Sequence, residues 1–79
     1  MPMEDVEQRR MVLREINKRH IDTSLMDVHV VHGVVYIRGT VRPLRGHPVD
    51  IHQEMEIIRR ILRQKPGIRD VIIDAIIRG

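Results

Sequence analysis

Apolar residues recur at helical spacing in the first quarter of the chain and then switch to alternation. From Glu4 to about Ile21, residues Val6, Leu13, Ile16 and His20 fall near one face with Val12 beside them, which predicts an amphipathic helix. Acids at its start (Glu4, Asp5, Glu7) and bases at its end (Lys18, Arg19, His20) match the helix dipole. Asp22-Thr23-Ser24 then offers side-chain oxygens that compete for backbone hydrogen bonds, so the helix is expected to stop there.

From Met26 to Val41 the period becomes two, and Val, Ile and Tyr dominate, as on a pleated half-buried surface. A hairpin turning at His32-Gly33 fits, because a two-residue connection needs positive φ, free for Gly and more accessible to His than to most other residues. The turn predicts the pairs Val31–Val34, Val30–Val35, Val28–Ile37, Asp27–Arg38 and Met26–Gly39. One face then collects Met26, Val28, Val30, Val35, Ile37, Gly39 and Val41. The other collects Asp27, His29, Val31, Val34, Tyr36, Arg38 and Thr40. A slip of one residue would scatter both sets, so turn and pattern specify the same register.

Two prolines and a glycine in RPLRGHP, Arg42 to Pro48, predict a loop. A second helix is expected from near Pro48 with Asp50 in its first turn. Its core stripe is Ile51, Met55, Ile58 and Leu62, widened by Ile57 and Ile61, and Glu56 is placed to pair with Arg60. Lys65-Pro66-Gly67 ends it. The alternation in IRDVIIDAIIRG predicts a last strand that sends Val71, Ile73, Ala75 and Ile77 to the core and Asp70, Ile72, Asp74 and Ile76 to the opposite face. The resulting class is α+β, αββαβ, with a three-stranded sheet and two helices packed on one face.

Composition narrows this to one small domain over residues 1–79, with an ordered core from about residue 5 to 77. The core must be aliphatic, since Phe and Trp are absent and Tyr36 is the single aromatic. There is no cysteine, hence no disulfide and no thiolate ligand or nucleophile. The net charge of +3 comes from 14 basic residues, 12 of them Arg, against 11 acidic ones, an ordinary mixed surface rather than a polybasic tail. MPMEDVEQRR is neither a secretory leader nor a membrane span, so a cytoplasmic protein, at most peripheral to a membrane, is expected.

The order of elements, the HGVVYIRGTV run with Gly33 in the turn and Gly39 near the strand end, and PGIRDVIID leading into the last strand resemble the BON domain family. Gly33, Val35, Ile37, Gly39 and Val41 match its hairpin, and Gly67-Ile68 with Val71 match the entry to its last strand. The resemblance covers the chain from about Glu7 to Ile77 and implies a non-catalytic module that binds phospholipid or attaches proteins to membranes. The chain departs from that family in having a single copy and a proline-rich basic loop.

Candidate chemistry gathers in two places. Arg38, Arg42 and Arg45, with His47, concentrate positive charge at the end of the second hairpin strand and through the loop. Guanidinium forks suit the oxygens of an anionic phospholipid headgroup or another phosphate. Val31, Val34 and Tyr36, with Ile72 and Ile76, are expected to form a contiguous apolar patch on the open sheet face, which points to a homo-oligomer or a protein partner. Arg59, Arg60 and Arg63 read as the solvated face of the second helix.

Other classes are disfavoured. Five histidines, among them His29, His32, His47 and His52, lack the carboxylates or thiolates that complete a metal site, so no metal or other cofactor is expected. Nucleic acid is an unlikely partner for a chain with no GxxG loop and one tyrosine. No nucleophile–base order, phosphate-cradling glycine loop or paired carboxylate is recognisable, so no enzyme is expected.

Overall fold

A computed structural model describes residues 5–78. The elements run α1 (Val6–Asn17), β1 (Ile21–Asp22), β2 (Met26–Val31), β3 (Val34–Pro43), α2 (Ile51–Arg63) and β4 (Asp70–Ile77). The class is α+β, as the hydrophobic pattern requires, with one addition: the short strand β1. The expectation for Glu4 lies outside the described residues.

Asp5 caps α1, its Oδ1 accepting the Gln8 N–H at 2.9 Å, a bond worth about 1 kcal/mol at a helix start. The helix ends at Asn17, four residues before the position expected. Lys18 and Arg19 donate N–H bonds to the carbonyls of Glu15 and Ile16. The reason is tertiary: Ile21 pairs with Pro43 in the sheet and is buried there, which a longer helix would forbid. His20 is consequently exposed beyond the helix, and the helix's core contribution reduces to Val12 and Ile16, with Met11 and Leu13 at their margin. Val6, assigned to the core stripe by spacing, is 54% exposed in the first turn.

The hairpin register is the one read from the sequence, pair for pair from Val31–Val34 to Met26–Gly39. His32 at φ 51° and Gly33 at φ 77° make the two-residue turn. Val28, Val30, Val35, Ile37 and Val41 are buried, as alternation predicts. Beyond Met26, β1 continues the same edge of β3: Asp22 pairs with Arg42, so the three residues 23–25 stand opposite the two residues 40–41. That is a β-bulge. It is closed by Thr40 N–H donating to the Leu25 carbonyl at 2.9 Å. Gly39 sits against it with φ 94°, where a Cβ would run into the Leu25 carbonyl.

The sheet is mixed. β2 and β1 flank one edge of β3 antiparallel, and β4 flanks the other edge in parallel, from Val34–Asp70 to Val41–Ile77. A parallel pair needs a crossover, which α2 supplies. α2 begins at Ile51 with Asp50 as its cap, three residues beyond Pro48, because the Asp50 carboxylate accepts the Gln53 N–H and competes with further helix. β3 in turn outruns the expected loop start by two residues, to Pro43.

Ile51, Met55, Ile58 and Leu62 of α2 meet Val12 and Ile16 of α1 over the buried face of the sheet, joined by Val71 and Ile68. Ion pairs tie the two helices together. Arg19 Nη2 lies 2.6 Å from Glu54 Oε2, and Glu15 bridges Lys18 and Lys65 at 2.9 and 3.0 Å. On the outer side of α2, Glu56 pairs with Arg59 at 3.9 Å, not with Arg60 as helical spacing predicted. Among the described residues no helix is long and apolar enough to cross a membrane, and both apolar helix faces are spent on the core.

Candidate anion-binding site

The loop after β3 is built by a tight turn and a ring stack. His47 N–H donates to the Leu44 carbonyl at 2.9 Å, with Gly46 at φ 84° between them, and the Leu44 N–H donates to the His20 carbonyl at 3.1 Å. The rings of His20 and His47 stack, with centroids 4.1 Å apart and planes inclined by 20°. The early end of α1 frees His20 for this contact. Helical periodicity alone had assigned it to the helix.

The loop encloses an open hollow of about 490 Å³, lined by Arg42, Arg45, His47 and Arg78 over Pro43, Leu44, Gly46 and Pro48. Arg42 is held by the strand rather than by the loop. Its Nε donates to Asp22 Oδ2 at 2.7 Å across the β1–β3 ladder. Arg78 was not singled out in the sequence. It follows the Val41–Ile77 pair, and its N–H donates to the Val41 carbonyl at 2.9 Å, which sets it beside Arg42. The only signal for it was its place one residue past the last alternating isoleucine, and that became informative once β4 was known to run parallel to β3.

The Asp22 carboxyl is held down to about 2. Hydrogen bonds from the Ser24 backbone and hydroxyl are the main cause, and the Arg42 guanidinium adds to them. Asp22 is therefore an anion at any physiological pH, and it occupies one of the five N–H donors of Arg42. Among the described residues lining the hollow none is a carboxylate, so three guanidiniums and an imidazole over a partly apolar floor can take an anionic group joined to an apolar one.

Arg38 does not belong to this site. It shares a face with Arg42 but lies four residues away, about 13 Å along the strand at 3.3 Å per residue. Its guanidinium lies 5.7 Å from the centroid of the Tyr36 ring, within cation–π range. Asp27 is its cross-strand neighbour as expected, yet among the described residues no ion pair joins the two.

The apolar patch is likewise divided. Val31, Val34 and Tyr36 are half-buried, and Ile72 is exposed beside Tyr36. Ile76 is cut off from them by the polar row Asp27–Arg38–Asp74, which crosses β2, β3 and β4. The expected contiguous patch is thus a smaller cluster plus one isolated isoleucine, because alternation fixes the face of a residue but not its neighbours across the sheet.

A shallower hollow on α2 is lined by Glu56, Arg59, Arg60, Arg63 and Gln64. Among the described residues no group of three or more histidines and carboxylates is arranged to hold a metal ion. The site and fold define a small mixed-sheet α+β domain with a basic hollow at one end. No family model matches the chain, and neither a curated protein nor a solved structure does.

Proposed function

We propose that this domain is a non-catalytic binding module for an anionic group, foremost the headgroup of an anionic phospholipid at a membrane surface. The observation that carries the reading is the convergence of Arg78 on Arg42, Arg45 and His47 around one open hollow. Guanidiniums from β3, from the residue after β4 and from the loop surround a space of ligand size, and such forks match phosphate oxygens. The apolar floor of Pro43, Leu44 and Pro48 suits the glycerol end of a headgroup better than free phosphate. The resemblance of the hairpin and last strand to BON domains supports the same ligand class. Attachment of this kind runs through the loop, since neither helix has an apolar face to spare.

Co-sedimentation with vesicles tests it. Binding is expected to zwitterionic vesicles carrying a third of anionic lipid, but not to purely zwitterionic ones, and to fall as salt is raised. Arg45→Ala and Arg78→Ala should each weaken it several-fold, and Arg38→Ala should not. Equal binding to both vesicle types, or salt-sensitive binding to a nucleic acid without vesicle binding, would sink the reading.

A second reading, contact with a protein through the open sheet face, rests on Ile72. This side chain is 41% exposed and stands next to Tyr36, with Val31 and Val34 beyond. Ile72→Asp would then abolish partner binding while leaving vesicle binding intact.

A further inference from the structure

The two edges of the sheet are treated differently. The outer edge of β2 is covered by α1: Asp5 N–H donates to the Val30 carbonyl at 2.9 Å and Arg9 Nε to the Val28 carbonyl at 2.8 Å. Among the described residues the outer edge of β4 has no such cover. Over its eight residues it carries no proline, lysine or bulge, and its charges are the two carboxylates Asp70 and Asp74.

The phase of the ladder is read from its C-terminal end and the Val41–Ile77 register, since ahead of the strand the Arg69 N–H also turns inward, to Gly33. Arg78 directs its N–H inward, to Val41. The N–H of Val71 is taken by its neighbour's carboxylate, Asp70 Oδ1, at 2.8 Å, as befits a group facing outward. Alternation then leaves the backbone groups of Ile73 and Ala75 pointing out, and among the described residues they meet no hydrogen-bonding partner.

We infer that this edge pairs with a second copy of the chain, β4 against β4, antiparallel about a two-fold axis at Asp74. The side chains of the strand are self-complementary in that register. On the open face Asp70 stands opposite Arg78 of the other copy, twice, and Ile72 opposite Ile76, twice. On the core face Val71 meets Ile77 and Ile73 meets Ala75. Two of the most exposed apolar side chains of the domain, Ile72 at 41% and Ile76 at 60%, cover each other, although Asp74 separates them within one copy. The outward groups of Ile73 and Ala75 exchange four backbone hydrogen bonds across the axis. One like-charge contact, Asp74 against its mate, falls on the axis, and each carboxylate has Arg38 as its in-register neighbour. The result is one continuous sheet through both copies.

Single-cysteine variants of this cysteine-free chain test the pairing and its register. Asp74 would face its mate as a non-hydrogen-bonded pair with Cα atoms about 4.5 Å apart, a separation that a disulfide spans. Under mild oxidation Asp74→Cys should give a covalent dimer. Ile72→Cys or Ile76→Cys alone should form no covalent dimer, and a mixture of those two should cross-link. These substitutions leave Arg78 itself unaltered, although the pairing sets Asp70 of the other copy beside it. The unaltered chain should show a reversible monomer–dimer equilibrium in sedimentation velocity over a concentration series. A strictly monomeric wild type overturns the inference. So does absence of the Asp74→Cys dimer in protein shown to be folded by circular dichroism, or equally efficient cross-linking by all three variants.

Discussion

Arg42 Nε donates to Asp22 Oδ2 at 2.7 Å, and the same guanidinium lines the basic hollow. Asp22 thus both aims Arg42 and competes for it. Asp22→Asn keeps an oxygen for the Ser24 N–H but removes the charge, and should tighten binding of anionic vesicles about 2- to 5-fold at low salt, as expected for a partly exposed ion pair. Vesicle titration measures it. Unchanged or weaker binding would mean that Asp22 positions Arg42 more than it competes.

The same carboxylate sets part of the acid response. Its folded pKa of about 2 lies below the ordinary value of 3.8. The stabilisation linked to it is therefore complete above 3.8 and is lost as pH falls toward about 2. Glu15, lowered from 4.5 by hydrogen bonds from Lys18 and then Lys65, has the same sign. Melting temperature should be insensitive to both groups from pH 7 to about 5 and fall below that. In Asp22→Asn the part of the fall between 3.8 and about 2 should shrink.

Glu54 is buried and meets Arg19 between the helices, and Arg19 Nε is itself buried with no partner. Glu54→Leu should destabilise by about 1–3 kcal/mol, because a half-buried guanidinium loses its counter-charge. Arg19→Met combined with Glu54→Leu should recover most of that loss. Urea unfolding of the two single variants and the double variant gives the coupling, and strict additivity would count against it.

The backbone of the hairpin makes opposite predictions at two sites. Gly39→Ala forces a Cβ at φ 94° against the Leu25 carbonyl and should cost about 1–3 kcal/mol. His32→Asn, at φ 51° in a turn that favours Asn-Gly, should gain about 0.5 kcal/mol. Chemical denaturation reads both.

The sequence by itself determined the hairpin, its register and the inward faces of β2, β3 and β4. Those follow from a period of two and from a turn residue that tolerates positive φ, and both are local. It also determined α2, whose apolar stripe is continuous, and the basic character of the loop. Where α1 ends was decided by the tertiary structure, since Ile21 gains more from burial against Pro43 than from one further helical turn. The membership of the site was decided there too. Parallel pairing of β4 brings Arg78 to Arg42 across a separation of 36 residues, and the bulge brings Asp22 to the same guanidinium. Arg38 is left behind on the sheet, and Ile76 is parted from Ile72. Neighbours across a sheet depend on strand order and direction, which no local period encodes.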